Sequence, residues 1–183
     1  MRRKFSMIMG ATAMAMFAIT AGAQTTTQTG AGKGGSPHVK SDWKLSGANV
    51  SLEYGRPYLK GRDESKMMPV GTPWRTGADE ATLITSDRPL TFGKVTLAPG
   101  TYTINTQPGE KAWQVVFGKL DKPKQWGIPY QAALEIGRAP MTLGRTATPV
   151  EQLTLHIDPS KSGGTLRIAW GTKSASVPFT VGK

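Results

Sequence analysis

The sequence predicts an all-β protein: an antiparallel β-sandwich of about eight or nine short strands with one long ordered loop. Three observations carry the prediction. Apolar residues recur at every second position in one segment after another. Glycine, proline, asparagine or aspartate stands at nearly every junction between those segments. No long window carries the apolar stripe that a helix needs. Alternation of this kind puts one side of a strand on a core and the other in water, the habit of antiparallel sheets packed on one face.

Taken in chain order, NVSLEY sets Val50, Leu52 and Tyr54 on one face, and ATLITS turns Leu83 to one side and Ile84 to the other. PLTFGKVTL divides into two strands about Gly93-Lys94, with glycine at the first central position, where a tight hairpin favours positive φ. GTYTINT aligns Tyr102, Ile104 and Thr106, and AWQVVFG aligns Trp113, Val115 and Phe117. PYQAALEI is compatible with a helical turn. EQLTLHID then points Leu153, Leu155 and Ile157 inward, GTLRIAWG does so with Leu166, Ile168 and Trp170, and SVPFTV with Val177, Phe179 and Val181. APG, QPGE and DPSKSGG are turn sequences between them.

The ends bound the compartment and the domain. Arg2, Arg3 and Lys4 precede a short apolar stretch, Met7 to Thr20, and Ala21-Gly22-Ala23 supplies small residues for cleavage. That is the build of a secretory signal peptide over 1–23, shorter than the roughly 20 apolar residues of a membrane span. Export to the periplasm or beyond is therefore expected, with no transmembrane helix after cleavage. Residues 24–35, QTTTQTGAGKGG, have almost no apolar content and read as a flexible linker. Residues 36–183 are expected to form one domain, large enough to bury a core without disulfides. The chain has no cysteine, which excludes thiol catalysis and thiolate metal sites. Its formal net charge of +11 is scattered rather than clustered, as on a solvated basic surface. With no basic helix or zinc-finger spacing, nucleic acid is not an expected partner.

One segment breaks the regularity. From Gly55 to Glu80 the chain runs GRPYLKGRDESKMMPVGTPWRTGADE without a strand period. Structureless connections beyond about 12–15 residues are uncommon in compact domains and are often functional. Tyr58, Leu59, Met67, Met68, Val70 and Trp74 give this one apolar anchors, so it is expected to be ordered.

The series YGRPYLKGR, VGTPWRTGADEAT, LAPGTYTI, WQVVFGK and QWG resembles a family of exported bacterial proteins known as domain of unknown function 2911. The resemblance spans roughly Ser36 to Val181 and implies export and a β-sandwich-like fold, with no established activity. Asparagine is common in that family where Asp79 stands here, whereas Glu80 matches.

The candidate site residues all come from this loop and its flank: Arg56, Tyr58, Arg62, Trp74, Arg75, Asp79, Glu80 and the more distant Trp126. As architecture, Arg75 and Arg56 would bond Asp79, Glu80 or loop carbonyls, Asp63 and Glu64 offering further partners. Trp74 would plug the sandwich, and Gly77 would supply a turn conformation closed to side chains. As a binding site, the arginines would converge on a pocket walled by Tyr58, Trp74 and Trp126 and take a small anionic or carbohydrate ligand. The balance favours a non-enzymatic protein that braces its fold or binds such a ligand.

An enzymatic alternative is a hydrolase of an envelope glycan, pairing Asp79 or Glu80 with Glu53 or Asp63. On an ordinary strand only one of Asp79 and Glu80 would face a site. A third possibility is an interaction module that pairs through an edge strand. His38 and His156 are far apart and read as surface histidines, so no metal ligand set is expected. No P-loop, dinucleotide fingerprint or serine elbow calls for a cofactor or a nucleophilic triad.

Overall fold

Every strand among the described residues runs antiparallel to its hydrogen-bonded neighbours. The computed structural model describes residues 24–122 and 130–183, so the expected signal peptide and Trp126 lie outside the described residues. In chain order the elements are β1 (Thr25–Ala31), β2 (Pro37–Leu45), β3 (Ala48–Gly55), a short helix α1 (Glu64–Met67), β4 (Ala78–Ser86), β5 (Leu90–Phe92) and β6 (Val95–Leu97). They continue with β7 (Gly100–Gln107), β8 (Trp113–Lys119), a 3-10 turn over Ala132–Leu134, β9 (Glu135–Ser160) and β10 (Gly163–Val181). All belong to one sheet in the order β1-β2-β3-β4-β7-β8-β9-β10-β5-β6.

The sheet folds over on itself because β9 changes partner. Its first part pairs with β8 through Met141, and the rest pairs with β10 from Thr142 onward. Strands from opposite ends of the order therefore meet across the core. Tyr54 on β3 donates its hydroxyl to the Leu155 carbonyl of β9 at 3.2 Å and accepts from the Leu155 amide at 2.9 Å. Trp43 on β2 meets the His156 ring edge-on at 5.9 Å. Phe92 packs between Phe117 at 4.6 Å and Phe179 at 4.9 Å.

The alternation holds at the level of burial. Val50, Leu52 and Tyr54, Trp113, Val115 and Phe117, Leu153, Leu155 and Ile157, and Leu166, Ile168 and Trp170 are all buried. The Gly93 hairpin forms between β5 and β6 with Gly93 at φ 58°. Ala132–Leu134 supplies the helical turn.

Two expectations about the strands are corrected. Among the described residues there are ten strands rather than eight or nine, and two of them are not short: β9 runs for 26 residues and β10 for 19. Proline at 140 and 149 reads as a breaker, yet neither ends β9. Pro140 sits opposite Gln114 in a stretch paired only with β8, and Pro149 falls in an irregularity of the ladder with β10. A strand partnered on one side tolerates a missing N–H. The second correction is the linker: Thr25–Ala31 forms β1, hydrogen-bonded along β2 while every one of its residues stays exposed. Threonine is a good strand former, and backbone pairing with an existing edge needs no buried side chain.

Candidate functional site

The Arg/Trp loop, 56–77, lies across β9 and β10 and spends its polar groups on the protein. Arg56 donates from Nε to the Leu153 carbonyl at 3.0 Å and from Nη2 to Thr154 Oγ1 at 2.9 Å. Leu59 donates its amide to the Glu151 carbonyl at 2.8 Å, and Tyr58 forms an isolated bridge to Gln152. Arg62 closes its own turn, donating to the carbonyls of Leu59 and Tyr58. Trp74 stacks on Trp170, ring centroids 5.6 Å apart at 7°, and its backbone pairs with Thr106. Arg75 makes one long bond, 3.3 Å, to the Gly77 carbonyl, and lines a separate small cavity of 40 Å³ near Tyr130 and Glu135.

The three arginines thus do not converge, and none of their bonds goes to a carboxylate among the described residues. The acids of the loop work elsewhere. Asp63 caps α1 by accepting from Ser65, which also holds its carboxyl below the usual range. Glu64 reaches β10, accepting from the Thr172 amide at 2.7 Å and its hydroxyl at 2.8 Å. Carboxylates that do take an arginine lie outside the loop: Glu135 pairs with Arg138 on β9 at 2.6 Å, and Asp158 with Arg167 on β10 at 2.6 Å. Arg138 also donates to Gln107, whose amide holds the Gly71 carbonyl of the loop at 3.1 Å.

Where the loop enters β4 the backbone is unusual. Thr76 and Asp79 have φ of 57° and 64°, and Gly77, expected to supply the left-handed turn, does not. Gly77 is needed for space instead: a Cβ there would stand 2.6 Å from Thr82 Oγ1. That hydroxyl donates to the Thr76 carbonyl at 2.9 Å, and Thr76 Oγ1 lies 3.0 Å from Thr106 Oγ1, so the strained turn is pinned from inside. Aspartate is among the few residues that tolerate such φ.

The ladder with β3 is interrupted at the same place. It pairs Glu53 with Leu83 and next Gly55 with Ala78, five steps along β4 against two along β3. Bulges of this kind re-aim side chains. The expectation that Asp79 and Glu80 face opposite ways therefore fails, since both reach one imidazole. Asp79 Oδ2 lies 2.9 Å from His38 Nε2, and Glu80 Oε2 lies 3.1 Å from His38 Nδ1.

His38 is no free surface histidine: its side chain is 18% exposed and that of Asp79 9%. The segment expected to be a linker covers them. Gly32 rests on Asp79 so closely that a Cβ would stand 1.7 Å from Oδ2, and the turn is closed by Gly32 donating to the Ser36 carbonyl at 2.8 Å. Gly55 lies beneath, where a Cβ would meet the Ala78 carbonyl at 2.4 Å and His38 Nε2 at 3.1 Å. Beside the triad opens a pocket of 310 Å³ whose walls include Thr29, Glu53, Glu80, Leu120 and Lys122.

The model of the family described as a protein of unknown function, DUF2911, matches residues 36–179. The chain belongs to that family. No curated protein and no solved structure is similar enough to match. In this DUF2911 domain the matched region begins just after Gly32, so β1 and the turn that cover Asp79 precede it. Sequence reasoning found Asp79 and Glu80, with Glu53 as a possible second carboxylate, but missed His38 as their companion. His38 lies 41 residues from Asp79, and no local pattern in the sequence joins the two.

Proposed function

We propose that this is an exported, non-enzymatic binding protein that takes a small hydroxyl-rich ligand, carbohydrate by class, in the pocket beside His38, Glu53 and Glu80. The leader-like start of the chain supports export. One observation carries the ligand class: two carboxylates and an imidazole border a single pocket while the loop arginines are committed to backbone carbonyls. Carboxylates accept hydrogen bonds from sugar hydroxyls and repel anions, so the anionic ligand gives way to the neutral one. Leu83 and Leu120 offer apolar wall, as small-molecule sites require. The loop itself braces the fold.

Calorimetric titration with neutral, amino and acidic sugars tests this. Neutral or amino sugars should bind, and Glu53→Gln should weaken them by tenfold or more. Binding confined to acidic sugars and abolished by Arg75→Ala would return the site to the loop. The hydrolase alternative keeps one observation in its favour, Glu53 and Glu80 on the same pocket, whereas Asp63 is engaged at α1. Release of reducing ends from an envelope glycan, lost in Glu53→Gln, would establish it in place of simple binding.

A further inference from the structure

We propose that His38 and Glu80 form a divalent-cation site of the zinc type, with Asp79 as the positioning carboxylate behind the histidine. The inference concerns the same pocket but does not require that a sugar bind there.

The proton count on the imidazole leads to it. An ionised carboxylate only accepts hydrogen bonds, so the 2.9 Å contact with Asp79 Oδ2 makes His38 Nε2 the N–H donor. In the neutral ring Nδ1 then carries a lone pair. That lone pair faces Glu80 Oε2 at 3.1 Å, and this oxygen is shut off from solvent with no hydrogen-bond partner. Two electron-rich atoms turned toward each other, one of them a buried carboxylate oxygen, call for positive charge between or beside them, which a second proton on the ring or a bound cation supplies, and metal uptake tells the two apart.

The spacing fits a metal ion. Nitrogen and oxygen donors about 2.1 Å from one ion stand about 3.0 Å apart in octahedral and about 3.4 Å apart in tetrahedral geometry. The Nδ1 to Oε2 distance, 3.1 Å, lies in that interval. Ligand atoms of His38, Asp79 and Glu80 all lie within 4.8 Å of one another. A metal-bound histidine usually donates its other N–H to a carboxylate, and Asp79 is in that place. The bulge in β4 delivers both carboxylates to the ring, and β1 with its turn excludes water from the Asp79 side. His38, Glu80 and Glu53 all line the pocket, so the cluster adjoins open space. One imidazole with carboxylate oxygen and no thiolate suits zinc and its first-row neighbours better than calcium.

The test uses the whole protein, freed of metal with chelator, and zinc chloride as titrant, with no sugar present. Saturable uptake of one ion per chain is expected. His38→Gln and Glu80→Gln should each weaken it by tenfold or more, and Asp79→Asn by roughly 10–100-fold. His156→Gln, which alters the exposed histidine on β9, should leave uptake unchanged. Cobalt should bind the parent with the absorption bands of an N/O site, a readout independent of affinity. Glu80→Gln serves as the near-isosteric variant, and a cooperative unfolding transition after chelator treatment should show that its lost uptake is not a lost fold. Absence of saturable uptake in the parent overturns the proposal. So does uptake that survives both His38→Gln and Glu80→Gln, or that disappears in His156→Gln.

Discussion

The Arg/Trp loop and the His38 corner adjoin in sequence, and both combine charged residues with irregular backbone. They differ in how their polar groups end. In the loop, the guanidinium groups of Arg56 and Arg62 find backbone carbonyls, Glu64 finds the Thr172 amide, and Trp74 lies flat on Trp170. At the corner, a carboxylate oxygen is left buried without a hydrogen-bond partner beside a ring nitrogen. A saturated network holds a fold together, whereas an orphaned one waits for something else. Richness in arginine and tryptophan therefore marks the loop proposed as a brace, and the sparser corner holds the candidate site.

The largest effect that would break this comparison is at the brace. Trp170 is 1% exposed, carries Trp74 on its face and donates its indole N–H to the Glu151 carbonyl at 3.2 Å. Trp170→Ala should cost about 3–5 kcal/mol in denaturant unfolding. A double-mutant cycle with Trp74→Ala should return a coupling of about 0.5–1.5 kcal/mol for the stacked pair. A coupling of zero would detach the loop from the sheet and leave its aromatics free for a ligand.

This contrast also explains what was legible in advance. Period-two alternation is a local property, so Val50, Leu52 and Tyr54 or Leu166, Ile168 and Trp170 could be placed on the core without knowing their partners. The Gly93 hairpin was equally local. The corner depends on two facts that no local pattern holds. Positive φ at Asp79 and the bulge against β3 redirect adjacent carboxylates, and pairing of β1 with β2 turns an apolar-poor segment into a wall. His38 resembled a surface residue because its neighbours, Gly55 beside its Nε2 and Asp79 beneath Gly32, are chosen by topology. Gly77 was singled out correctly but for the wrong cause, space beside Thr82 rather than backbone conformation.

A second, smaller effect sharpens the brace by pH. Hydrogen bonding from Arg138 holds the Glu135 carboxyl below its ordinary value of 4.5, and the same contact raises the Arg138 guanidinium. A depressed carboxyl contributes stability above its unfolded pKa and loses it as the pH falls through the folded value. Arg138→Gln should therefore lower the melting temperature at pH 6, and the gap from the parent should close as the pH falls from about 4.5 toward 2. Since Gln107 links Arg138 to the Gly71 carbonyl, amide exchange in the loop should quicken in the variant at pH 6. A gap that is constant with pH would mean that Arg138 acts through packing alone.

The smallest effect is expected from the residue that the sequence made most conspicuous. Arg75 stands in the middle of TPWRTGADE, yet its guanidinium makes one 3.3 Å bond, to a carbonyl two residues away. A single long contact of a half-buried arginine contributes little, and Arg75→Ala should unfold within about 0.5 kcal/mol of the parent. It should also leave zinc uptake at His38 untouched, because the residue lines the other cavity, with Tyr130 and Glu135. A loss on the order of 3 kcal/mol would mean that Arg75 neutralises a buried charge. If that charge were the carboxylate pair that follows it in sequence, Asp79 and Glu80, loop and corner would be one network rather than two. Measuring Arg75→Ala alone and together with Glu80→Gln separates the cases: additive effects keep the regions apart, and rescue of the arginine loss by Glu80→Gln joins them.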